Sequence, residues 1–106
     1  MTTAIALIWP DTGDCSLRVK GHATGSDKVC AAISSLIWAL VGYLTNDDAV
    51  HMEVLRTDPA DAEIQWRGGD EGTMAAFRTA CIGLLQIEQA EPNYLKTKIS
   101  QNIFPK

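Results

Sequence analysis

Between Val29 and Leu44 the chain runs for sixteen residues without a charge, and Val29, Ile33, Leu36, Ile37, Leu40, Val41 and Leu44 recur at helical spacing. Asp27 is well placed as the N-cap of this helix, and Asn46 stands near its C-cap. The apolar positions go most of the way round, so the helix must be covered on more than one side. A bilayer is a poor candidate for the cover. Sixteen residues rise only about 24 Å as a helix, short of a ~30 Å hydrocarbon core, and Ser34, Ser35 and Gly42 interrupt the run. A buried helix is expected instead, with a sheet on one side and, in so short a chain, a second copy of the protein on another.

The segments around this helix read as paired strands. Ala4 to Trp9 is a short apolar run, Pro10-Asp11-Thr12-Gly13-Asp14 is turn chemistry, and Ser16 to Lys20 alternates apolar with polar, predicting a first hairpin. After the helix, Val50, Met52 and Val54 alternate with His51, Glu53 and Leu55. The chain then turns at Thr57-Asp58-Pro59-Ala60-Asp61, and Ile64 and Trp66 alternate with Glu63, Gln65 and Arg67, predicting a second hairpin. Beyond Gly68-Gly69-Asp70, the residues Met74, Phe77, Cys81, Leu84 and Leu85 recur at helical spacing until Glu91-Pro92. Leu95, Thr97 and Ile99 alternate with Lys96 and Lys98 in a last strand. The order ββαββαβ predicts an α+β fold, an antiparallel or mixed sheet packed with two helices, in one domain without linker or repeat.

Composition narrows the function classes. One hundred and six residues, 46% hydrophobic and 21% charged, are one domain's worth of chain and exclude a multidomain machine. A net charge of −4 repels a phosphate backbone, so no nucleic-acid partner is expected. Cys15, Cys30 and Cys81 cannot all pair with one another, and no CxxC or zinc-finger spacing is present, which points to a reducing compartment. The N-terminal residues lack the basic flank and apolar run of a signal peptide, so a cytoplasmic protein with no membrane partner is expected.

The chemistry concentrates in Gly21-His22-Ala23-Thr24-Gly25-Ser26-Asp27-Lys28-Val29-Cys30-Ala31-Ala32-Ile33-Ser34. A histidine leaves a strand end, a small loop turns, and a cysteine lands on the first turn of a helix. With Asp27 as N-cap, Cys30 is the third helical residue, where unpaired N–H groups and the positive helix end favour thiolate over thiol. The seven residues between His22 and Cys30 are ample to bring imidazole to sulfur, since about 25 Å is their extended reach. The reaction class implied is acyl transfer by a Cys-His pair, with backbone N–H groups at the helix start, that of Cys30 included, as oxyanion donors. The bland reading is a packed cysteine and a histidine that ends a strand.

The other candidates are weaker. Cys81 falls on an apolar stripe and is read as core. Cys15 opens a strand, is expected to be partly exposed, and has no neighbouring base. His51 reads as solvated strand face. No spacing among His22, Cys30, His51 and Cys15 demands zinc, so neither metal nor cofactor is expected. Trp9, Trp38 and Trp66 read as core or interface aromatics, one of them free to line an apolar groove. Lys96 and Lys98 look like edge-strand protection.

Gly-His-Ala followed by Gly, Asp and then Val-Cys-Ala-Ala-Ile-Ser on a helix resembles the signature of the ribosomal-processing cysteine proteases, the Prp family, and the element order along the whole chain is similar to that family's. The resemblance implies that residues 1–106 are a single cysteine-protease-like domain. It also implies a cytoplasmic, homodimeric endopeptidase that removes a short N-terminal extension from large-subunit ribosomal protein twenty-seven, cutting after a hydrophobic, aromatic-rich stretch. It matches Cys30 to the nucleophile, His22 to the general base and acid, and Asp27 to the acidic residue before the cysteine, where it either orients His22 or caps the helix. Gly21 and Gly25 match the loop glycines, Ala23 the residue after the histidine, and Ser34 a family serine one turn beyond the cysteine. The loop between His22 and Cys30 is several residues shorter than in the family. Relatives that differ there are expected to cut other proteins, a phage capsid component among them. The alternative of another class is a catalytically idle dimeric module that holds an extended peptide or escorts a ribosomal protein.

Overall fold

The computed structural model describes residues 1–21, 26–58 and 60–105. Its elements are β1 (Thr2–Ile8), β2 (Cys15–Lys20), α1 (Asp27–Thr45), β3 (Val50–Asp58), β4 (Asp61–Gly68), α2 (Glu71–Ala90) and β5 (Leu95–Ile99), followed by a 3-10 turn at Gln101–Ile103. The predicted order is the observed one. The strands form a single mixed sheet ordered β3-β4-β2-β1-β5, in which β5 runs parallel to β1 and all other pairs are antiparallel.

Alternation decides which face of the sheet is buried. Ala4 and Ala6 of β1, Leu17 and Val19 of β2, Ala62, Ile64 and Trp66 of β4, and Leu95 of β5 point to the helix layer and are buried. From the helices, Val29, Ile33, Ile37, Leu40, Val41 and Leu44 of α1 and Phe77, Ala80, Cys81 and Leu84 of α2 complete the core. Trp66 meets Phe77 edge-on, with ring centroids 4.8 Å apart and planes at 85°, a geometry worth about 0.5–1.5 kcal/mol beyond the area it buries. The opposite face is wet and carries the polar residues of each strand, such as Arg18, Glu63 and Arg67.

Helix α1 has the length and apolarity of a membrane span, 19 residues with a mean hydropathy of 1.5, yet its buried stripe lies on the sheet as predicted. Part of the second cover comes from within the chain. Helix α2 packs beside α1, and Gly83 eases the approach, because a Cβ there would come within 2.7 Å of Leu36 Cδ2. Leu36 is only partly buried, while Trp38 and Tyr43 remain exposed.

The reading of the second hairpin needs one correction. A β-bulge between Met52 and Val54 inserts Glu53, so Met52 opposes Trp66 but Val54 opposes Gln65 and Leu55 opposes Ile64. The extra residue reverses the alternation. Val54 therefore turns to the wet face, and Leu55 and Thr57 turn to the helix side instead.

Candidate active site

Helix α1 begins at Asp27, and the reason is local. Ser26 has extended backbone (φ −142°, ψ 94°), and its Oγ accepts the Val29 N–H at 3.3 Å. Ser26, not Asp27, is thus the N-cap; Asp27 is the first helical residue. Its carboxylate sits in the first turn, where the helix dipole favours negative charge. Cys30 is consequently the fourth helical residue, and its N–H donates to the Ser26 carbonyl at 3.2 Å. That bond removes the Cys30 amide from the expected oxyanion donors. Helix geometry leaves the N–H groups of Asp27 and Lys28 without an intrahelical acceptor.

Cys30 is half-buried and borders a cavity of about 40 Å³. Val19, Ile33, Ile37 and Ala62 make the apolar floor, all of them core residues. Ser34 and Trp38 continue the α1 wall one and two turns beyond Cys30, while Thr57 and Asp58 close the side of β3. Thr2 and Gly21 complete the rim. Gly21 has φ +89°, and a Cβ there would lie 2.7 Å from the Met1 carbonyl oxygen, so only glycine fits where the chain leaves β2 beside the first strand. Its N–H donates to the Ala60 carbonyl at 2.8 Å, which fastens this exit to the β3–β4 turn.

The structure therefore gathers Gly21, Cys30 and Ser34 into one cavity and leaves Asp27 exposed at the start of the same helix. His22, Ala23 and Gly25 lie outside the described residues. The sequence did not single out Thr2, Thr57 or Asp58 as wall residues, and only the sheet topology and the Glu53 bulge bring them there. Trp38, 59% exposed at the rim, is the tryptophan that lines a groove, whereas Trp66 is core and Trp9 is a surface residue.

The other two thiols are sealed. Cys81 is fully buried, as expected, and burial pushes its thiol up to about 12, with a further upward contribution from Cys15. Cys15 is a correction. It is buried at 5% exposure because it faces the core, paired with Trp66 across β2 and β4, and burial with the neighbouring Asp14 charge pushes its thiol up to about 11. His51 is exposed on β3 opposite Arg67, at the far end of that strand from Thr57. Cys15 likewise stands at the far end of β2 from Val19. The register thus separates Cys15 and His51 from Cys30, and no cluster of metal-ligating side chains forms among the described residues. A partly accessible thiol at a helix start, beside a cleft with an apolar floor, has the placement of a cysteine nucleophile.

No curated protein matches the chain significantly. Among solved structures, the fold is similar to that of the essential ribosomal processing protease Prp of Staphylococcus aureus in complex with a covalently linked product peptide. The TM-score is 0.73 at 17% identity, covering 94% of this chain and 100% of that one. A protein of Streptococcus mutans is similar at TM-score 0.72 and 24% identity over 93% of this chain and 96% of that one. The S. aureus protease in complex with a substrate peptide gives 0.71 at 16% identity over 94% and 100%. At these identities the likeness is one of fold. The sequence profile described as Cysteine protease Prp matches residues 3–96, which spans both hairpins, both helices and Cys30, and so the chain belongs to the Prp family of cysteine proteases.

Proposed function

We propose that this protease is an endopeptidase that trims the N-terminal extension of large-subunit ribosomal protein twenty-seven, with Cys30 as nucleophile and His22 as general base and acid. The observation that carries the assignment of the nucleophile is the contrast among the three thiols: Cys30 borders a cleft at the start of α1, whereas Cys15 and Cys81 are buried with raised pKa values. The family and the peptide complexes of the S. aureus protease support the choice of a ribosomal protein precursor as substrate.

In this mechanism the Cys30 thiol gives its proton to His22, and Sγ attacks the scissile carbonyl carbon, forming a C–S bond. The developing oxyanion is met by backbone N–H groups at the start of α1, with those of Asp27 and Lys28 the donors that helix geometry leaves open. Collapse breaks the C–N bond, and the departing amine takes the proton from His22. Water, deprotonated in turn by His22, attacks the thioester and releases the extension's new carboxylate, returning the thiol to Cys30. Asp27, released from capping by Ser26, is assigned the orienting of the imidazolium that the family resemblance implies. The protein acts in the cytoplasm as a homodimer, with exposed apolar residues such as Tyr43 on α1 available to an interface.

Intact mass of the ribosomal protein precursor after incubation with the protein tests this reading. Loss of a short N-terminal fragment with wild type, and none with a folded Cys30→Ala variant, is the expected result. An unchanged mass with wild type contradicts the proposed substrate.

A further inference from the structure

Among the described residues the sheet ends in two unpaired edges, β3 and β5. An unpaired edge offers a row of backbone N–H and C=O groups to any extended chain, and proteins usually blunt such edges with short strands, lysines or bulges. Edge β5 is blunted. It is only five residues long and exposes Lys96 and Lys98. The first half of β3 is blunted too, by the bulge at Glu53. The second half is not. From Val54 to Asp58 the pairing with β4 is regular, ending at Asp61, so the outer side of this stretch presents a straight row of backbone groups. Its one basic side chain, Arg56, is drawn inward to Asp61 and Glu63 of β4, at 3.2 and 3.3 Å.

This open stretch leads to the nucleophile. Leu55 and Thr57 share the helix-facing side, opposite Ile64 and Ala62. Leu55 is 49% exposed even so, because no helix covers it fully. Thr57 and Asp58 are walls of the cavity that Cys30 borders, with the exposed Trp38 facing them from α1. An apolar shelf therefore runs along the edge strand and into the cleft. We infer that an extended segment of the substrate polypeptide adds to Val54–Asp58 as a sixth strand, which delivers the scissile bond to Cys30. Alternate side chains of that segment lie over Leu55, Thr57 and Trp38, and the intervening ones project toward the wet face beside Arg56. Backbone pairing fixes the direction and register of the peptide, and the shelf selects apolar side chains at every second position. This inference rests on the peptidase reading above and adds the way the substrate is held.

The test uses acetylated tetrapeptidyl chloromethyl ketones of hydrophobic, aromatic-rich sequence: one parent compound, and analogues each N-methylated at a single residue. Strand addition predicts that methylation at every second residue slows Cys30 alkylation about ten-fold, the equivalent of one strong backbone hydrogen bond, with the intervening positions changing it less than about two-fold. A flat profile with fast, Cys30-selective alkylation overturns strand addition and leaves the peptidase reading standing. Alkylation no faster at Cys30 than at Cys15 and Cys81 overturns both. In Leu55→Glu, the ratio of the tetrapeptidyl rate to the iodoacetamide rate at Cys30 falls at least several-fold; an unchanged ratio contradicts the placement on β3.

Discussion

Three thiols share this chain, and their surroundings set them apart. Cys15 and Cys81 are held as neutral thiols by burial, up to about 11 and about 12, so at neutral pH neither offers a thiolate and neither is reached by solvent. Iodoacetamide at pH 7 should therefore modify Cys30 alone in the native protein, and all three residues only after unfolding, as peptide mass mapping would show. Equal native labelling would contradict the assignment. Asp27 gives a second prediction at this scale. Because Ser26 accepts the Val29 N–H, Asp27→Asn removes no cap and should leave stability within about 0.5 kcal/mol, while lowering kcat if Asp27 orients His22. Full activity in Asp27→Asn would remove the orienting role. The sequence put Cys30 in the first turn of α1, where it stands, but it took Asp27 for the cap, one residue too far along, because serine and aspartate cap equally well and nothing in residue type chooses between them. The backbone angle at Ser26 makes that choice.

The elements were legible wherever a period was unbroken. Both helices and both hairpins stand where apolar spacing put them, because each buries one continuous face against the sheet. Reading failed where a single residue changes the phase. In β3 the run from Val50 to Leu55 alternates equally well with or without a bulge, and only pairing with β4 shows that Glu53 is the extra residue. The cavity wall depends on that residue, because without it Thr57 would face the other side of the sheet. The start of α1 carries its own prediction: Ser26→Ala should cost about 1 kcal/mol in urea unfolding, the usual loss for a side-chain cap. It should also reduce activity, since the same turn positions Cys30. A variant as stable as wild type would show that the 3.3 Å bond to Val29 contributes little.

At the scale of the whole molecule, the wet face of the sheet ties distant segments together. Asp14, from the β1–β2 turn, is buried at 5% exposure, and Arg67 of β4 reaches it at 3.0 Å while also pairing with Glu53 of β3 at 2.6 Å. Burial alone raises the Asp14 carboxyl, but hydrogen bonds from Arg67 and Gln65 and the guanidinium charge more than reverse this and hold it below the ordinary carboxylate range. A carboxyl with a lower pKa folded than unfolded stabilises the fold above about pH 4, and loses that contribution as pH falls through the folded value. The stability difference between wild type and Asp14→Asn, measured in urea, should therefore be larger at pH 7 than in acid and shrink as the pH falls below the ordinary carboxylate range. A difference independent of pH would contradict this account. These long-range ties, like the convergence of Thr2, Thr57 and Asp58 on the Cys30 cavity, were invisible in the sequence, because they depend on strand order rather than on any local pattern.

In the proposed reaction Cys30 cuts a ribosomal protein precursor. Intact mass of the host's large-subunit ribosomal protein twenty-seven, incubated with wild type and with Cys30→Ala, tests it most directly. Loss of a short N-terminal fragment with wild type only is the expected result. Cleavage that persists in a folded Cys30→Ala protein, or a precursor left whole by wild type, would contradict it.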